Sequence, residues 1–218
     1  IKEDGTKYTP GETNDGFFAS EESVDKLSVT FTDKVKSISE YMFAGRPIQQ
    51  LTIPASVTSI GNYAFFNCDA LVSLNISFPS LAEGIFNDCD NLTSVTVSGN
   101  LDAINKNMFS GCPKMTTLNI SGSVETIGDG AFDGFNLTSL NISGHVGTIG
   151  ANAFDDNDNM TSFTVTSTGS VDTIGASAFE DCDALTLDIQ GTVNKVGAYA
   201  FSDCDAITTL SIRANVVE

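Results

Sequence analysis

The chain has 218 residues, of which 28 are acidic and 10 basic, for a formal net charge of −18. That balance excludes nucleic acid and anionic membrane surfaces as partners, because both are held by clustered Lys and Arg. A hydrophobic fraction of 41% supplies a core and excludes a disordered polymer, while no run approaches the roughly 18–20 apolar residues of a membrane-spanning helix.

In chain order, residues 1–23 are polar apart from Phe17 and Phe18 and share no pattern with the rest of the chain. They are expected to be an N-terminal cap or the end of a linker. From residue 24 to 218 the chain repeats itself. Val24, Leu27 and Val29 match the strand half of the repeat, and Phe then recurs at positions 43, 65, 86, 109, 132, 154, 179 and 201, at intervals of 22, 21, 23, 23, 22, 25 and 22 residues. The surroundings recur too. Val57, Ile60, Gly61, Ala64, Phe65, Cys68, Leu71, Leu74 and Ile76 line up with Val124, Ile127, Gly128, Ala131, Phe132, Leu137, Leu140 and Ile142. They line up again with Val193, Val196, Gly197, Ala200, Phe201, Cys204, Ile207, Leu210 and Ile212.

Within each repeat one segment alternates apolar and polar residues, the mark of a short strand with one buried face. These segments are 51–53, 74–76, 95–97, 118–120, 140–142, 163–165, 187–189 and 210–212. A repeat of this length cannot bury its apolar side chains by itself. Stacking equal turns buries them as one core and pairs the strands in parallel. The predicted fold is a leucine-rich-repeat solenoid, a right-handed superhelix of about eight turns, with one short parallel strand per turn and a mostly irregular or short-helical convex side. The longest interval holds Thr166–Ser170, and Gly99, Gly122, Gly144 and Gly191 come soon after strands, where a sharp turn is wanted.

The run from Ile53 to Phe65 and the run from Cys68 to Ile76 resemble the BspA-like leucine-rich-repeat family, and the likeness extends over residues 24–218. It implies a bacterial or protist surface protein, modular in many members and adhesive toward host matrix proteins or other cells in some. The chain departs from the pattern where Arg46, Phe135 and Asn157 replace Cys, and where the glycine is missing near Ser39, Glu83 and Asn105. The abrupt end six residues after Ile212 is expected of a solenoid that stops against another domain.

Five residues could tempt a chemical reading. Cys68, Cys89, Cys112, Cys182 and Cys204 each lie three positions after a repeat Phe, so they are expected to stack as a column of small buried residues. With no C-x-x-C and no His in the column, neither zinc nor a disulfide framework is expected. Asp and Asn crowd the neighbouring loops (87–91, 155–159, 180–183 and 202–205). Oxygen ligands in that number suit calcium, but turn formation is their ordinary use, and no metal or other cofactor is assigned. His145 is the single histidine, with no hydrolase, phosphate-binding or dinucleotide motif near it. No catalytic residue is assigned, although a polysaccharide-cleaving parallel β-helix has turns of similar length. Six sequons, at Asn75, Asn91, Asn119, Asn136, Asn141 and Asn159, matter only in a eukaryotic secreted chain.

There remains the strand face turned away from the core. Its central column reads Thr52, Asn75, Thr96, Asn119, Asn141, Thr164, Asp188 and Ser211, flanked by Gln50, Ser73, Ser94, Thr117, Ser139, Ser162 and Thr186. Stacking makes such a concave column one long surface, and it is the candidate binding site. The expected function is a non-enzymatic adhesion module at the cell surface, outside the cell. Its partner would be a protein, such as a host extracellular matrix protein or another cell's surface. The alternative is a spacer that presents another domain, favoured by the absence of Trp, Tyr and Arg from the column.

Overall fold

In the computed structural model, residues 27–77, 82–166 and 169–207 are described. The expected cap over 1–23 and the predicted strand at 210–212 lie outside them. Among the described residues there is no helix, and none long and apolar enough to cross a membrane. The chain is a β-solenoid.

Fifteen strands run along the described residues. The long sheet is built from β1 (Leu27–Thr30), β3 (Ile48–Thr52), β5 (Ser73–Ile76), β6 (Ser94–Val97), β8 (Thr117–Ile120), β10 (Ser139–Ile142), β12 (Ser162–Val165) and β14 (Thr186–Ile189), in that order and all parallel. Eight strands enclose seven complete coils. Seven of the eight predicted strand segments fall in this sheet, and the partial first repeat supplies β1.

The side expected to be irregular or short-helical is more regular than that. A second parallel sheet orders β7 (Leu101–Ile104), β9 (Val124–Ile127), β11 (Val146–Ile149), β13 (Val171–Ile174) and β15 (Val193–Val196), and a two-stranded piece joins β2 (Ser37–Ile38) to β4 (Ser59–Ile60). Each coil in this part of the molecule therefore carries two strands. The template shows only one because these V-x-x-I segments do not alternate: Val124 and Ile127 are both buried, with Glu125 exposed between them. A buried residue at each end reflects a strand that turns inward at both corners.

The third side of each coil is made of turns, yet it too is laddered by backbone hydrogen bonds. The amides of Phe43, Phe65, Phe86, Phe132, Phe154 and Phe179 donate to the next coil, as in Phe65 to the Ile85 carbonyl (3.0 Å) and Phe154 to the Ala178 carbonyl (2.8 Å). Two residues per coil, two before and two after the Phe, adopt the left-handed conformation with φ of 52–72°. The later one is Gly, Asn or Asp in every coil (Gly45, Asn67, Asp88, Gly111, Gly134, Asp156, Asp181 and Asp203). Those are the residue types that tolerate this region at least cost. Backbone geometry thus accounts for much of the Asp and Asn crowding.

The corners need glycine for a different reason. A Cβ on Gly191 would stand 1.6 Å from the Gly169 carbonyl oxygen, and one on Gly175 would stand 2.6 Å from the Gly150 carbonyl carbon. Successive backbones touch there, so no side chain fits. Inside, the eight repeat Phe rings form one continuous stack. Centroids are 4.9–6.4 Å apart and planes are tilted by 5–15°. Val, Ile and Leu from both sheets close around it, nearly all of them fully buried.

Candidate functional site

Strand alternation sends one residue in two outward from the long sheet, and parallel pairing in register turns those residues into columns. The predicted central column is realised. Thr52 pairs with Asn75, Asn75 with Thr96, Thr96 with Asn119, Asn119 with Asn141, Asn141 with Thr164, and Thr164 with Asp188. Ser211 lies outside the described residues. The flanking column runs from Ser28 and Gln50 through Ser73, Ser94, Thr117, Ser139 and Ser162 to Thr186, and Thr30 extends the central column by one rung. All of these side chains are exposed or half-buried. In a chain of net charge −18, Asp188 is the one ionisable residue in either column.

The columns hydrogen-bond along their length. Asn141 Nδ2 donates to Asn119 Oδ1 (2.8 Å), Ser139 Oγ reaches Thr117 Oγ1 (3.5 Å), and Ser162 and Thr164 share a 3.2 Å hydroxyl contact. At the strand entrances Thr93, Thr138 and Thr161 each donate a hydroxyl to the carbonyl of the preceding coil (2.9–3.1 Å). These bonds tie neighbouring coils together across the face.

The register of the sheet shifts at Leu27 and Ser28 between β1 and β3 and loosens most between β3 and β5. Between β3 and β5 the strands register only at Thr52 and Asn75, whereas β5 and β6 share four pairs. The opening is a groove of about 550 Å³ lined by Gln49, Gln50, Thr52, Val72, Ser73 and Asn75. Val72 is 48% exposed there.

The cysteines form the buried column expected, with a polar duty in addition. Each donates its thiol to the carbonyl of the repeat Phe one coil back: Cys68 to Phe43, Cys89 to Phe65, Cys112 to Phe86, Cys182 to Phe154 and Cys204 to Phe179, at 2.8–3.3 Å. Asn157 occupies the same position and donates Nδ2 to the Phe132 carbonyl. Burial pushes the Cys68 and Cys182 thiols up to about 12. Cys89 is pushed up first by its hydrogen bond with Cys112 and then by burial. Cys112 is shifted the other way, lowered first by the same hydrogen bond with Cys89. The raised thiols stay protonated, whereas nucleophilic and metal-binding cysteines are thiolates.

On the turn side Asp155, Asp156 and Asp181 can bring one oxygen each to within 4.8 Å of one another. Partial desolvation first, and then the charges of Asp203, Asp156, Glu180 and Asp155, hold the exposed Asp181 carboxyl above its ordinary range. Asp156 and Asp181 occupy the left-handed position of their coils, so turn geometry by itself brings them together.

A cluster invisible to motif searching lies at the second sheet. His145 Nδ1 is 2.8 Å from Ser170 Oγ, and its Nε2 is 3.2 Å from Asp172 Oδ2. Asp172 Oδ1 in turn accepts from Asn194 Nδ2 at 2.9 Å. His145 and Ser170 are separated by 25 residues, which hides the cluster from any local motif. Superposing the repeats finds it, because His145 and Ser170 each stand directly before the first Val of a strand.

A family model described as a BspA-type leucine-rich-repeat region matches residues 12–135 and 125–218, in six copies. A crystal structure of a leucine-rich-repeat protein from Bacteroides ovatus aligns over 83% of the chain at 21% identity, with a TM-score of 0.41. The chain spans 65% of the length of that protein. No curated protein matches the chain significantly.

Proposed function

The chain belongs to the BspA-type leucine-rich-repeat family, and from that premise we propose that it is a binding module whose docking surface is the outward face of the long sheet. The observation that carries the reading is the pair of in-register columns. They present hydroxyl and amide side chains over successive coils, with a single charge at Asp188, in a chain that is otherwise strongly acidic. A face kept free of repelling charge accepts a protein partner of either sign, whereas an acidic one selects by electrostatics. The partner proposed is a protein outside the cell, either an extracellular matrix protein or a component of another cell's surface, with this chain displayed at the cell surface. Each rung offers only small polar contacts, and interfaces draw most of their energy from Trp, Tyr and Arg anchors. Affinity per module is therefore modest and is raised by multiple copies.

The rival reading is a spacer presenting another domain, and the lack of anchoring residues in the columns favours it. One experiment separates the two. The purified chain is tested for surface binding to matrix and serum proteins beside an Asn119→Arg, Asn141→Arg double variant whose fold is verified. Binding that the variant loses supports the sheet as the site. No binding by well-folded protein supports the spacer.

A further inference from the structure

The second sheet carries a feature independent of the long-sheet face. Its outward residues also form columns, and the four positions 145, 147, 170 and 172 make a square on two adjacent coils, since Val146 registers with Val171. Three corners are His145, Ser170 and Asp172, and the fourth is Gly147. Where neighbouring coils carry Glu125 and Asp172, Gly147 has no side chain to stand beside the imidazole. The ring bonds Ser170 directly opposite and reaches Asp172 on the diagonal across it.

We infer that Ser170 is an activated nucleophile that accepts acyl groups from activated esters, with His145 as its general base and Asp172 as the residue that positions the base. Reactive serine sites require a hydroxyl within hydrogen-bond reach of a base that is itself oriented by a third group. The 2.8 Å and 3.2 Å contacts meet that requirement. With Asp172 accepting from Nε2–H, the neutral imidazole leaves Nδ1 as the acceptor, and the Ser170 hydroxyl donates to it. The two nitrogens are exchanged relative to the serine proteases, but the roles are the same.

The frame is rigid. The His145 amide donates to Ser123 Oγ (3.0 Å), the Val146 amide donates to the Ser170 carbonyl (2.8 Å), and Val146 and Val171 are fully buried beneath. The His145 and Asp172 side chains are 38% and 51% exposed, so a small reagent reaches the site.

In the reaction the Ser170 oxygen bonds to the acyl carbon while its proton passes to His145 Nδ1. The ester C–O bond breaks and the phenolate departs with the bonding pair. The imidazolium, held by Asp172, then returns the proton to water. The product is an acyl-serine formed once per chain.

The test is incubation of the full chain with p-nitrophenyl acetate, read by phenolate release and by peptide mass mapping. The expected result is a single acetyl group on Ser170, absent from Ser170→Ala. His145→Ala slows its formation about 100-fold, the lower end for loss of a general base, and added imidazole restores it. Asp172→Asn slows it less, and Asp172→Glu recovers part of the rate. Acetyl groups spread over lysines with none on Ser170 would overturn the inference. So would Ser170 labelling at an unchanged rate in a folded His145→Ala chain.

Discussion

Replacing Asn157 by Cys should stabilise the protein, because the structure shows a polar side chain doing a thiol's work imperfectly. Asn157 is fully buried. Its Nδ2 is satisfied by the Phe132 and Asp155 carbonyls, but its Oδ1 has no partner. An orphaned buried acceptor costs about 1–3 kcal/mol, and each amide hydrogen bond returns about 0.5–1.5 kcal/mol net. Cys at this position removes the orphan and keeps one donor, as Cys182 demonstrates one coil later with its 3.0 Å contact to the Phe154 carbonyl. The net gain is about 1 kcal/mol, which for a chain of this size raises the thermal midpoint by roughly 2–4 °C. Urea unfolding at constant slope is the assay, since an unchanged slope shows that stability rather than compactness has moved. Asn157→Ala serves as the control. It removes the orphan and also the side-chain bond to the Phe132 carbonyl, which keeps only its 3.1 Å bond from the Phe135 amide, so it should fall about 1 kcal/mol below the Cys variant. A Cys variant no more stable than the parent, or an Ala variant as stable as the Cys variant, would refute the reasoning.

The same interior sets the other expectations. Phe132→Ala opens the middle of the ring stack between Phe109 and Phe154 and should cost about 3–5 kcal/mol in urea or thermal unfolding. Cys68 and Cys182 should resist a soluble disulfide reagent in the native state and react once the chain is unfolded in denaturant. Their alkaline behaviour has a definite sign. The folded thiols lie at about 12 against an ordinary 9.0, so the folded state holds its protons more tightly. The stability this represents is complete below pH 9 and is lost as pH rises from 9 toward 12, at about 1.4 kcal/mol per pH unit for each thiol. Urea midpoints measured across that range would show the decline.

Much of the fold is legible in the residues because one large side chain marks each coil. Phe at 43, 65, 86 and onward sets the period, and Leu74-Asn75-Ile76 marks the long-sheet strand by alternation. The second sheet is hidden because Val124 and Ile127 both point inward, a pattern that alternation cannot detect. The left-handed positions are half legible. Asp156, Asp181 and Asp203 advertise them, but Tyr41, Tyr63 and Tyr199 occupy the other position with the same positive φ, and tyrosine gives no such signal. The outward column of the candidate site could be enumerated residue by residue, since register is set by equal repeats. Its groove could not, because it arises from a local loss of register between β3 and β5. The His145 cluster depends on a diagonal contact across Gly147, a relation between coils that no linear motif contains.

The most direct test of the long-sheet account attaches a bulky group to the sheet face. Asn119→Cys places a reactive thiol in the middle of the sheet face, and Asp133→Cys places one on the turn side, where the side chain is 43% exposed. Each variant is coupled to a bulky polyethylene-glycol maleimide, and binding to whichever panel protein the parent chain captures is measured by surface plasmon resonance. The account predicts that the adduct at 119 loses binding while the adduct at 133 keeps it. Full binding by the adduct at 119 would contradict it.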